Sequence, residues 1–159
     1  MKHLPKHLRP RWRYLAVDIE TWPDVDIDRG TFQRHLWYAA QNLVGDAGSA
    51  AVDLSVLSFS FADGHGEALV RVRRDEVERG RAVVASLARI DGSDVGLRVR
   101  GVSGTVRACE EKYMGRGPIG TDQRHVVFRG TERTAVTAAD RADIRLDDGF
   151  TGATTLDLQ

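Results

Sequence analysis

The chain is poor in cysteine: Cys109 is alone among 159 residues. A single thiol excludes an internal disulfide and any metal cluster built from cysteines. Cys109 falls on the apolar stripe of an expected helix, so it reads as a small buried hydrophobe rather than a nucleophile. No apolar run approaches the length of a membrane span, and the basic N-terminus lacks the apolar stretch of a signal peptide. Cytoplasmic residence and no membrane contact are therefore expected. Net charge is also lacking, with 23 basic and 23 acidic residues. Histidine is sparse and scattered (His3, His7, His35, His65, His125), with only His3 and His7 at helical spacing, inside a basic arm.

The zero net charge hides a segregation. Residues 1–14 hold Lys2, Lys6, Arg9, Arg11 and Arg13 and no acid, whereas 15–66 hold eight acids and two bases. Residues 67–116 return to eleven bases against eight acids, and 117–159 carry five against seven. Such asymmetry predicts one side that faces a polyanion and one that is acidic and solvated. Arginine outnumbers lysine twenty to three, the better choice for bidentate phosphate contact.

Residues Arg11 to Glu20 alternate as a strand, with Leu15, Val17 and Ile19 on one face and Trp12, Tyr14 and Ala16 on the other. A helix follows over Asp28–Val44, capped by Thr31 or Asp28 and ended by Gly45, with a small-residue loop at Asp46–Ala51. Leu54–Phe61 is a second strand, with Leu57, Phe59 and Phe61 on one face. Asp63-Gly64-His65-Gly66 turns it into a third, Glu67–Arg73. Asp75 is placed to cap a second helix with the stripe Val77, Val83, Val84, Leu87 and Ile90, and Asp91–Asp94 leads to a fourth strand through Leu97–Arg100. Ser103-Gly104-Thr105 then opens a third helix, with Val106, Cys109 and Tyr113 on one stripe.

The order β-α-β-β-α-β plus a C-terminal helix is an α+β fold, the ferredoxin-like or RNA-recognition-like split βαβ sandwich. Residues 1–10 are a basic arm, 11–115 the domain, and 116–159 a Gly/Thr/Ala/Asp-rich tail expected to be disordered, with only a strand-like His125–Phe128. If Ala68, Val70, Val72, Leu97 and Val99 point to the helices, then Arg71, Arg73, Arg98 and Arg100 point away with Trp12 and Tyr14. That surface suits single-stranded RNA or a protein partner; the plainer expectation is a face partly covered by the third helix. At the Ser103–Thr105 turn, backbone N–H groups at a helix start favour an anion, and Arg98, Arg100, Arg107 and Lys112 crowd the turn.

Catalytic patterns are thin. Asp18-Ile19-Glu20-Thr21 copies the Asp-x-Glu-Thr opening of two-metal exonucleases, but further aspartates in the expected later motifs are missing. Ser103 has no histidine in sequence context, and Gly101-x-x-Gly104 is not a dinucleotide fingerprint.

Three separated motifs resemble the family of archaeal ribonuclease P protein component 2: Trp12-Arg13-Tyr14-Leu15-Ala16-Val17, Trp37-Tyr38-Ala39-Ala40-Gln41-Asn42-Leu43-Val44-Gly45-Asp46, and Arg100-Gly101-Val102-Ser103-Gly104-Thr105-Val106-Arg107-Ala108-Cys109. The basic opening Lys6–Tyr14 fits as well, and the resemblance spans roughly residues 1–115. It implies a subunit of the ribonucleoprotein that removes 5′ leaders from precursor tRNA, with catalysis by the RNA, magnesium ions bound by that RNA, and no catalytic residue, metal or cofactor in the protein. It also implies a partner, the barrel-like component 3, and leaves self-association within the complex open. The expected RNA contacts are Arg71, Arg73, Arg98, Arg100, Ser103, Gly104, Thr105, Arg107 and Lys112, extended by Lys6, Arg9 and Arg11. Competing readings are a small metal-dependent 3′–5′ exonuclease using Asp18 and Glu20, a stand-alone RNA-binding domain, and a ligand-binding regulatory module of the same topology.

Overall fold

The computed structural model describes residues 4–115, 122–138 and 140–158. Lys2, His3 and the expected boundary at 115/116 fall on or against positions outside that set. The chain divides into two compact units, Met1–Arg116 and Gly117–Gln159.

In the first unit the alternation of the N-terminal segment is realised as β1 (Trp12–Thr21). Then come α1 (Arg29–Val52), β2 (Ser55–Ala62), β3 (His65–Arg73), α2 (Val77–Ser86), a short β4 (Arg89–Ile90), β5 (Ser93–Ser103) and α3 (Val106–Tyr113). Among the described residues the sheet order is β2-β3-β1-β5-β4, antiparallel throughout. Both α1 and α2 connect strands separated by one intervening strand, which is the split βαβ arrangement. The fold is the expected α+β, ferredoxin-like one, with β5 as the expected fourth strand.

Period-two alternation sorts the side chains. Leu15, Val17 and Ile19 of β1 join Ala68, Val70 and Val72 of β3 in one core with Phe32, Leu36 and Ala40 of α1 and Val83 and Val84 of α2. Phe32 is fully buried, and its replacement by alanine would cost about 3–5 kcal/mol. The helix starts where Asp28 Oδ1 accepts the Thr31 N–H at 2.7 Å, a side-chain cap. That bond holds the Asp28 carboxyl below its usual range. The outer edge of β2 is covered by α1: Gln33 accepts the Val56 N–H at 2.7 Å, and Arg29 and Trp37 donate to the Val56 and Leu54 carbonyls at 2.6 and 2.9 Å. Side chains thus satisfy an edge that would otherwise invite pairing. The β2–β3 turn uses Asp63 (φ 53°) and Gly64 (φ 81°), consecutive left-handed residues whose twist matches a tight hairpin.

Several expectations are corrected. Gly45 does break the helix (φ 73°), but helical structure resumes and reaches Val52, so 46–51 is not a loop. Asp75 lies in a 3-10 turn, Arg74–Glu76, and Glu76 is the N-cap residue of α2, without a side-chain cap. Leu87 and Ile90 lie beyond α2 yet still enter the core. In β2 a register shift between Val56 and Ser58 turns Leu57 outward, leaving Val56, Phe59 and Phe61 inside.

The largest correction concerns the tail. Its described residues form a four-stranded antiparallel meander, β6 (Asp122–Phe128), β7 (Thr131–Ala138), β8 (Arg141–Leu146) and β9 (Gly149–Thr154). Val126, Ala135 and Ile144 are its buried centre, with Phe128, Leu146, Ala153 and Leu158 packed around them. Alternating small and β-branched residues bury one face without any long apolar run, a weak signal in composition but a sufficient one in register.

Candidate nucleic-acid interface

The helix-free expectation for the outer face of the first unit fails at its centre. Cys109 of α3 packs with Ala16 and Leu69, flanked by Tyr14, Val106, Tyr113 and Met114. The Tyr113 ring lies on Gly101, where a Cβ would collide with it. Glycine at 101 is what lets the helix close on the sheet. Burial pushes the Cys109 thiol up to about 11, with Glu110 adding to the shift. Tyr14 is therefore committed to packing.

On one side of α3 lies an ionic cluster. Asp18 pairs with Arg100 at 3.0 Å and with His65 at 2.9 Å, and Arg100 also faces Glu67 at 3.7 Å. Asp18, Glu67, Arg100 and His65 side chains are all less than one-fifth exposed. The contacts are ionic rather than directed hydrogen bonds, since Asp18 Oδ1 and Arg100 Nε have no hydrogen-bond partner among the described residues. Glu67 also accepts the Gly115 N–H at 3.0 Å, tying the chain beyond α3 to β3. Arg100 sits where the β1–β5 register shifts between Ala16 and Val17, and that irregularity sets its head group among the carboxylates.

The expected phosphate turn is assembled differently. Ser103 pairs with Tyr14 at the end of β5, and Asp18 is about 13 Å further along β1 at ordinary strand rise. Arg100, held there, does not flank the turn. Arg13 does, lying 3.4 Å from the point where a Gly104 Cβ would sit. Thr105 caps α3 by accepting the Ala108 N–H at 3.1 Å, which uses one amide that a phosphate would need. Arg107 is exposed and pairs with Glu111 at 2.9 Å. Lys112 is exposed and lies 5.4 Å from the Tyr113 ring. Arg98 is exposed on β5, opposite Asp18.

At the opposite end of β1 the basic residues converge. Arg71 and Arg73 of β3 lie over the Trp12 ring, at 3.9 and 4.2 Å from its centroids. Arg73 also reaches Asp53 at 3.4 Å. Arg9 and Arg11 line a groove with Arg73; Lys6 is exposed in a 3-10 turn, Lys6–Leu8. Sequence reading missed Arg74 in this group, because alternation ends at Arg73 and only the folded 3-10 turn returns Arg74 to the arm.

Residues 13–114 match the family model described as the Rpp14/Pop5 family, and the match stops where the first unit ends. Along its whole length the chain is 64% identical, over 160 residues, to ribonuclease P protein component 2 of Natronomonas pharaonis, covering 100% of this chain and 99% of that one. It is 56% identical to the protein of the same name from Haloarcula marismortui, over 161 residues and 100% of both chains. The Methanosarcina mazei protein of that name is 32% identical over 114 residues, 72% of this chain and 93% of its own. A split βαβ sheet with a helix closed on its outer face is thus joined to a match over most of the chain, and this protein belongs to the Rpp14/Pop5 family.

Proposed function

We infer that this chain is a protein subunit of ribonuclease P, supporting the RNA that removes 5′ leaders from precursor tRNA. The observation that carries the reading is the end-to-end similarity to proteins of that name, at 64% identity. The geometry is in keeping with it. Asp18, the first carboxylate of the exonuclease reading, is engaged by Arg100 and His65, so its charge is spent inside the fold. Cleavage and its magnesium ions belong, in this reading, to the RNA component. The protein acts in the cytoplasm beside component 3, and Arg9, Arg11, Arg71, Arg73, Arg98 and Arg107 meet RNA.

Reconstitution tests this. Added with component 3 to the RNA at limiting magnesium, the protein should raise the rate of leader removal from precursor tRNA. Unchanged cleavage would refute the reading. Cleavage of RNA by the purified protein with magnesium, abolished in Asp18→Ala, would replace it with the nuclease alternative.

A further inference from the structure

We propose that the groove between the N-terminal arm and the β3–α2 junction is a clamp for the RNA sugar-phosphate backbone, one that does not use base stacking. The proposal rests on the subunit reading and adds the part of the RNA that is held, and where.

The groove has a volume of about 440 Å³ and is lined by His7, Arg9, Pro10, Arg11, Arg73, Arg74 and Asp75. Four guanidiniums and an imidazole thus face one carboxylate. Arg11 and Arg74 are exposed and are in no ion pair among the described residues. The groove's shape is built in: the Arg74 N–H donates to the Arg11 carbonyl at 2.9 Å, which pins the arm to the junction. Arg9 Nε donates to the Leu4 carbonyl at 2.8 Å, fixing that side chain while its terminal nitrogens remain available. Such pre-set, forked donors suit phosphate oxygens.

The neighbouring aromatics argue against base recognition. A stacking platform needs an open ring face. Trp12 already carries Arg71 and Arg73, and Tyr14 is packed under α3. The tryptophan instead orders two arginines at the groove's edge. Contacts to phosphate alone carry no sequence information, and their strength depends on counterion release.

The test uses the full chain and two fluorescent probes, a 20-base-pair RNA duplex and a 20-nucleotide oligouridine, titrated across a salt series. For the duplex, Arg11→Gln/Arg74→Gln should weaken binding at least tenfold at low salt. It should also lower the slope of log Kd against log salt by about 2, one for each phosphate released. Tryptophan fluorescence and melting of the variant should match the parent, since both positions are exposed. Scrambling the duplex sequence should change nothing. An unchanged slope overturns the clamp while leaving the subunit reading intact, provided reconstituted cleavage still responds to the protein. Intact RNA binding with lost component 3 binding would assign the groove to a protein partner. Preference for oligouridine, lost in Trp12→Leu and kept in the double variant, would show stacking instead. A parent chain that binds neither probe and leaves cleavage unchanged removes both the clamp and the subunit reading.

Discussion

Arg100 stands on the best-conditioned test of the site, because two roles make opposite demands on it. As a phosphate ligand it should be dispensable for folding; as the bridge of the Asp18–Glu67 cluster it should not. Consider Arg100→Met, which keeps length and apolar stem but removes the charge. The gross attraction lost, at 3.0 and 3.7 Å and an effective dielectric constant near 20, is about 10 kcal/mol, most of it offset by the cost of desolvating the three groups. Removing one partner of a fully buried cluster costs about 3–5 kcal/mol. With nearly one-fifth of each side chain exposed, about 2–3 kcal/mol is the expectation, since solvent screening weakens the outer part. Two carboxylates on paired strands, Asp18 opposite Glu67, are then left facing each other. Urea unfolding followed by tryptophan fluorescence reads this cleanly, because Trp12, Trp22 and Trp37 all lie in the first unit. At a slope of about 1–1.5 kcal/mol per molar urea, the midpoint should fall by about 2 M. The neutral triple variant Asp18→Asn/Glu67→Gln/Arg100→Met should recover most of that loss. A midpoint within 0.3 M of the parent, by contrast, combined with about tenfold weaker RNA binding, would refute the structural assignment and return Arg100 to the RNA.

Other tests follow from the same geometry. Cys109, with its thiol raised to about 11, should resist iodoacetamide at pH 8 until the protein unfolds. The unfolded thiol ionises first, so its contribution to stability is full below about pH 9 and is lost as pH rises through 11; a pH series of urea midpoints checks the sign. Gly101→Val should drive Tyr113 off the sheet, and rapid Cys109 alkylation in the native state would report it; continued protection would refute the close approach. Deleting residues 117–159 should leave the tryptophan-detected midpoint of the first unit unchanged, since the two units have separate cores. Thr105→Ala should destabilise by about 1 kcal/mol through loss of the α3 cap, measured in the same urea experiment.

What the sequence made legible was whatever follows from strict periodicity. Alternation placed Leu15, Val17 and Ile19 inside and Trp12 and Tyr14 outside, and the same rule separated Val70 and Val72 from Arg71 and Arg73. Where a register slips, the rule loses its hold: Leu57 at the β2 shift and Arg100 at the β5 shift both depart from the extrapolated pattern. Charge could be counted but not paired. Nothing local in Arg100 announces two carboxylates from other strands, and nothing in Asp75 says that a 3-10 turn will displace it from a helix start. The C-terminal meander was read as disorder because its turn Arg129-Gly130 and its short Thr- and Ala-rich strands resemble low complexity. Its core depends on cross-strand partners such as Ala135 and Ile144, a property of pairing and not of composition.

The strand order carries a consequence for how the chain folds in time. β1 emerges first yet occupies the centre, and its partner Val102, opposite Leu15, belongs to the last strand of the unit. Until β5 is made, half of the hydrogen-bonding edge of β1 has no mate, and closing that long loop carries an entropic cost before any contact repays it. The meander, joined by hairpins between sequence neighbours, has no such wait. On the ribosome the first unit is therefore the slow one, and an exposed β1 edge is the surface a folding chaperone would meet.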